Sequence, residues 1–214
     1  MKKLVFSDTD CLESFLFVDA GYILEELFSK IIIPEQVYNE LMYETTPSKV
    51  KDNFKKLNDE FVEIEELEFL SAEYNTYKLI ENGFWSKTGK VCGPGESAAM
   101  ALAHLNEETL ASNNLTDVAE YVESLNIKLI TSSMILARSV EKKLITKDDA
   151  NNLWENMKKS GIKLLQKHFP NITVNFTNLT ANDFICMKND KSELISAHIM
   201  SEDRFNNTQH FSFF

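Results

Sequence analysis

Apolar positions along the chain follow two rhythms. Short apolar or β-branched runs recur, and each leads into a stretch with apolar side chains at three- and four-residue spacing. Residues 3–7, KLVFS, predict a short buried strand ending at Asp8. Beyond it Leu12, Phe15, Leu16, Ile23, Leu24, Leu27 and Phe28 fall at helical spacing up to about residue 29, with a break at Asp19-Ala20-Gly21. Ile31-Ile32-Ile33 is a β-branched run stopped by Pro34, and proline at a first turn opens a helix over 35–43. A second proline, Pro47, starts a helix to about residue 58. Residues 61–65, FVEIE, alternate and predict an edge strand, followed by a helix over 71–81. A glycine-rich loop at 83–95 precedes a helix at 96–105 and a short strand at 109–111. A helix at 115–125, a strand at 127–131 and helices at 133–143 and 147–159 complete the pattern.

Short apolar strands alternating with helices predict an α/β fold. Its centre is a parallel sheet of four to five strands, covered by helices on both faces in three layers. The rhythm stops near His168. The segment FPNITVNFTNLTANDFICM is polar and β-branched, and the end, HFSFF, is aromatic. Residues 1–167 are therefore expected to form one domain. Residues 168–214 are expected to be a C-terminal extension, either an edge hairpin or a partner-binding arm.

Composition narrows the function. The chain has 214 residues, 43% hydrophobic and 26% charged, which suits a globular domain with a substantial core. Its net charge of −11 argues against a simple electrostatic nucleic-acid binder. It leaves room for a nuclease, because carboxylates that hold a metal add negative charge of their own. Two candidate basic patches are Lys49, Lys51, Lys55 and Lys56, and Arg138, Lys142, Lys143, Lys158, Lys159, Lys163 and Lys167, although lysines on one helix face more often form plain solvated surface. Three cysteines without a CxxC spacing fit a reducing cytoplasm and exclude a zinc site of that type. No run of about 18 apolar residues predicts a membrane span, so a cytoplasmic location without membrane association is expected.

The candidate chemistry is carboxylate. Residues 93–103, GPGESAAMALA, place Glu96 at the mouth of a small-residue helix after a Gly-Pro-Gly turn. Asp8 follows the first strand, and Glu40 lies on the short helix after Pro34, beside the core-facing Val37 and Leu41. An α/β fold gathers such positions at one edge of its sheet, and clustered carboxylates without a matching cation suggest a divalent ion. Each has a plainer reading. Asp8 is a helix N-cap, although Asp10 fits that role better. Glu40 is equally well a solvated acid. Glu96 is an electrostatic cap. Asn113 and Asn114 follow a strand as Asp8 does, and Asn114 with Asp117 reads as an N-cap with an acid at the capping-box position. No nucleophile elbow, Walker motif or dinucleotide fingerprint is present.

Taken in order, these motifs resemble the PIN domain family of metal-dependent ribonucleases, which includes the toxin nucleases of bacterial toxin–antitoxin pairs. Asp8-Thr9-Asp10-Cys11-Leu12 matches the opening motif, and Val37-Tyr38-Asn39-Glu40-Leu41 the second. Gly95-Glu96 with Ala98, Ala99, Ala101 and Ala103 matches the third. The stretch from Leu110 to Thr146 looks like the closing strand–helix–strand–helix segment, and the likeness spans about residues 3–163. The resemblance implies a Mg²⁺- or Mn²⁺-dependent endoribonuclease with RNA as substrate and an antitoxin protein or a second copy of the chain as partner. It implies catalytic roles for Asp8, Glu40, Glu96 and Asp117, supported by Thr9, Asp10, Asn113 and Asn114. The ion would rest on Asp8, Glu96, Asn113 and Asp117. Asn113 stands where the family usually has Asp, so it offers an oxygen without a charge, and Asp117 one turn further on could partly replace it. The competing expectation is a catalytically weakened PIN-like binding module that acts through a protein partner.

Overall fold

A computed structural model describes residues 3–161, 184–188 and 194–198. Its centre is β1 (Lys3–Ser7), in a parallel sheet with β2 (Phe28–Pro34), β3 (Val62–Glu65), β4 (Thr109–Ala111) and β5 (Lys128–Ile130). The strand order is β3-β2-β1-β4-β5. Phe6 stands level with Ile32 on one side and with Leu110 on the other. Side chains alternate across the sheet. Val5, Ile31, Ile33, Ala111 and Ile130 enter one core, and Phe6, Ile32, Leu110 and Leu129 enter the other. Both faces are covered, which is why the inner strands read as continuous apolar runs.

The first core is packed by α1 (Thr9–Phe17), α2 (Gly21–Leu27), α3 (Glu35–Leu41), α4 (Ser48–Phe54), α8 (Ser132–Glu141) and α9 (Lys147–Lys159). Its largest fully buried side chains include Phe15, Leu16, Ile23 and Trp154. The second core is packed by α5 (Ala72–Glu81), α6 (Pro94–Leu105) and α7 (Leu115–Ser124). Here the alanines of α6 and Ser97 are buried, so this helix lies close against the sheet and against α3 and α5.

The sequence places the end of the second helix near residue 29, but helix α2 stops at Leu27. Phe28 instead pairs with Lys3 and buries its ring, so sheet pairing wins over helical spacing. The FVEIE segment forms the β3 edge strand as its alternation predicts. Among the described residues of the extension, β6 (Phe184–Lys188) and β7 (Leu194–His198) pair antiparallel as a two-stranded sheet of their own. The boundary placed at 167/168 and the aromatic end of the arm lie outside the described residues. Among the described residues no helix is long and apolar enough to cross a membrane.

Candidate metal and active site at the sheet edge

The chain leaves β1 toward β2 on one side, and returns later to build β4 and β5 on the other. Such a switch point opens a crevice at the carboxyl ends of the two central strands. Asp8 follows β1, while Ser112, Asn113 and Asn114 follow β4. The backbone N–H of Asp8 donates to the Ala111 carbonyl at 3.0 Å, which locks the two strand ends together.

Asp8 is 1% exposed and is itself the N-cap of α1. Its Oδ1 accepts from the Cys11 N–H at 2.8 Å. The sequence preference for Asp10 as the cap is therefore corrected: Asp10 lies inside the first turn, where an acid favours the helix dipole without capping it. The Oδ2 of Asp8 is buried and has no hydrogen-bond partner. Burial pushes the Asp8 carboxyl well above the usual carboxylate range, and the charges of Asp10 and Glu96 push the same way. The Ser112 hydroxyl beside it and the Cys11 N–H oppose that shift.

On the far wall, Glu96 is the third residue of α6, and its Oε2 accepts from the Gly93 N–H at 3.4 Å. Asn114 occupies the N-cap position of α7 but makes no side-chain cap bond. Its Nδ2 instead donates to Glu96 Oε1 at 2.5 Å and to Asp117 Oδ2 at 2.5 Å. The capping-box reading of Asn114 and Asp117 is corrected accordingly: the amide joins two carboxylates across helices α6 and α7. Asp117 also pairs with Lys90 at 2.6 Å. The Oδ1 of Asn114 is buried without a partner.

Glu40 reaches the mouth of α6 from α3. Its Oε2 accepts from the Thr9 hydroxyl, and its Oε1 accepts from the Gly95 N–H at 3.1 Å. The carboxyl thus ties the start of α1 to the mouth of α6. A Cβ on Gly95 would stand 2.6 Å from Glu40 Oε2, so a larger residue here would make the Glu40 carboxyl shift from its present bonds. Asn113 is 1% exposed, and its amide is engaged on both sides. Its Oδ1 accepts from the Ser132 N–H at 3.0 Å, and its Nδ2 donates to Ser132 Oγ at 2.9 Å and more distantly to the Asp10 carbonyl. Asn113 therefore joins the start of α8 to the start of α1.

The sequence-selected residues thus lie at the ends of β1 and β4 and the starts of the helices that meet there, with Asn113 held by Ser132 and the rest in three groups. Asp8 stands with Asp10 at the end of β1, Glu96 with Asn114 and Asp117, and Glu40 with Thr9 and Gly95. Sequence reasoning did not single out Ser112, which accepts the Asn114 N–H at 3.3 Å and stands beside Asp8. It also did not single out Ser132 or Ser14, whose hydroxyls lie 2.8 Å apart and brace Asn113 from within. Serines carry no periodic signal, and only the packing of α1 on α8 brings them together. Among the described residues, no three His, Cys, Asp or Glu side chains group closely enough to cage an ion. A hard divalent ion needs less: magnesium keeps several waters and takes one or two carboxylates directly. The unpartnered buried oxygens of Asp8 and Asn114, which follow the adjacent strands β1 and β4, fit that demand.

A three-layer α/β domain with an acidic crevice at its switch point is the class that fold and edge define. The chain belongs to the PIN domain family, since the family model DUF3368, a PIN domain, matches residues 4–176. No curated protein matches the chain. Solved structures similar to it include VapBC2 from Rickettsia felis bound to a DNA fragment from its promoter, at 17% identity and a TM-score of 0.44. That match covers 60% of this chain and 98% of the other. A PilT N-terminus domain protein from Sulfolobus solfataricus P2 is 14% identical with a TM-score of 0.40, over 64% of this chain and 94% of the other. FitAcB from Neisseria gonorrhoeae is 14% identical with a TM-score of 0.40, over 59% and 96% respectively. Likenesses at this level add no argument to the family match.

Proposed function

We propose that the chain is a Mg²⁺- or Mn²⁺-dependent endoribonuclease and the toxin of a toxin–antitoxin pair. One observation carries the metal-dependent reading: a fully buried Asp8 keeps an unpartnered Oδ2 at the end of β1 in a PIN domain, and Asn114, after the neighbouring β4, keeps a second unpartnered oxygen. A buried carboxylate with a bare oxygen is costly unless a cation meets it. Asp8 and Asn114 would hold the ion directly, with Glu96 and Asp117 adding charge through retained waters. Such an ion activates a water for attack on a phosphodiester and offsets charge on the leaving oxygen. The chain's own part is positional. The Cys11 N–H orients Asp8, the Asn114 amide holds Glu96 and Asp117 together, and Glu40 fixes the mouth of α6 against α1. The toxin role rests on the motif resemblance, and a copurifying product of an adjacent small reading frame would support it.

The test is metal-dependent thermal stabilisation together with RNA cleavage. Millimolar Mn²⁺ should raise Tm and support cleavage. Asp8→Asn, which keeps a good N-cap, should remove both effects, lowering cleavage by more than about a hundredfold, beyond the range seen when a residue merely supporting a metal ligand is lost. A wild-type chain indifferent to Mn²⁺ and Mg²⁺ would sink the proposal. That result would favour the second reading, a binding module, for which the engagement of Asn113 on both sides of its amide is the specific support.

A further inference from the structure

Next to the acidic edge lies a cavity of about 440 Å³ that the proposed mechanism does not use. Glu40 forms one wall, which places the cavity against the site. The other lining residues are Gln36, Asn39, Tyr43, Thr45, Thr46 and Pro94. Two are carboxamides, two are hydroxyls, one is aromatic and one is a proline. None is a lysine or arginine, so this lining does not suit a phosphate. The volume falls in the range of small-ligand sites. Tyr43 is 64% exposed, although it is a large aromatic ring. The Gln36 Oε1 is buried without a hydrogen-bond partner. A buried unpaired acceptor is unfavourable until a donor reaches it, and Gln36 lines this cavity, so a ligand that donates hydrogen bonds suits it.

We propose that this cavity takes one unpaired nucleobase, with Tyr43 as the stacking surface and Gln36 as the reader of its hydrogen-bonding edge. Bases are read this way in single strands: a ring supplies affinity without regard to sequence, and amide side chains discriminate at the edge. Adenine and cytosine present an exocyclic amine to an acceptor such as Gln36 Oε1, whereas uracil presents only its ring N–H. The Thr46 hydroxyl already donates to the Glu40 carbonyl at 3.0 Å, which fixes the rim of the cavity to the site. The inference deepens the nuclease reading and rests on it for its role: the base held here would set which phosphate enters the acidic edge.

The full chain is titrated with adenosine, cytidine, uridine and ribose, with NMR shifts as the readout. Saturable binding of the nucleosides but not ribose is expected, with adenosine and cytidine ahead of uridine. Tyr43→Ala should weaken every nucleoside about tenfold, the loss typical of a removed stacking partner. Gln36→Leu should erase the preference over uridine while leaving the fold as stable as before, because it removes an unpaired acceptor. Sequencing the cut ends of a mixed single-stranded RNA should show a base preference that Gln36→Leu abolishes. Nucleoside binding that is absent, or indifferent to both variants, overturns the inference. A chain that binds nucleosides as described but cuts no RNA sinks the nuclease reading alone. A chain that cuts RNA but binds no nucleoside sinks the base site alone.

Discussion

Asp8 and Glu40 are two acids at the same edge of the same sheet, and their surroundings are opposite. Both oxygens of Glu40 are already used, one by Thr9 and one by the Gly95 N–H. Asp8 uses one oxygen to cap a helix and keeps the other buried and bare. A ligand at Glu40 must therefore compete with existing bonds, while a ligand at Asp8 Oδ2 meets an oxygen that has the Ser112 hydroxyl nearby but no hydrogen bond of its own to give up. The Glu40 wall behaves as scaffold and the Asp8 wall as receptor, although both were selected from sequence for the same reason. Being an acid at a strand or helix end places a residue at the edge without saying whether its oxygens are free.

The largest stability effect should come from crowding the scaffold wall. A methyl group at Gly95 would collide with the Glu40 carboxyl, and the charge-assisted bond from the Gly95 N–H would be strained or lost. Gly95→Ala should cost about 1–3 kcal/mol in urea unfolding, the usual scale of overpacking and of hydrogen bonds to charged groups. In a Glu40→Ala background the same change should cost much less, because the colliding carboxyl is gone. A double-mutant cycle measures that coupling. If the two costs simply add, Glu40 does not hold the mouth of α6, and the contrast between the two walls fails.

The fold was legible because its signals are periodic. Ile31-Ile32-Ile33 before Pro34, the FVEIE alternation and the alanines after Glu96 each predict an element that forms close to where it was expected. The edge residues were also legible, since Asp8, Glu40, Glu96, Asn114 and Asp117 all reach the crevice. Their hydrogen-bonding roles were not. Asn114 with Asp117 spells a capping box, yet its amide turns away from the α7 backbone because Glu96 approaches from another helix. That contact joins positions 18 apart in sequence, and no local spacing encodes it. The cavity at Gln36 and Tyr43 was invisible for the same reason, since Pro94, the first residue of α6, lines it from a part of the chain distant in sequence.

A smaller effect tests the back of the site. Asn113 both accepts from and donates to Ser132, so an acid there would keep the acceptor and lose the donor. The new carboxylate would also face the Asp10 carbonyl, to which the Asn113 amide now points. Asn113→Asp should lower stability in chelator by about 1–2 kcal/mol, the scale of a buried partner left unsatisfied. Because the side chain braces α8 from behind, Mn²⁺ should recover little of that loss. Full recovery in Mn²⁺ would move Asn113 from scaffold to receptor, beside Asp8.

The smallest effect is a slope with pH, and it isolates the receptor wall. Burial raises the Asp8 pKa in the folded chain, while in the unfolded chain it stays near about 4. Between those two values the folded state holds a proton that the unfolded state has lost. Stability therefore falls as pH rises through that window, and the loss is complete above the raised pKa. Below the unfolded value the penalty is absent. Other groups titrate over the same range, so the informative quantity is the difference between the wild-type chain and Asp8→Asn, both in chelator. Asparagine retains the cap and carries no charge, so the variant should be the more stable chain at neutral pH. Its advantage should grow from about pH 4 upward and then level off. Adding Mn²⁺ should reverse the order at neutral pH, because only the wild-type chain has a charge for the ion to meet. Parallel Tm curves in chelator would mean that Asp8 ionises without penalty, and the buried bare oxygen would then lose its standing as the receptor.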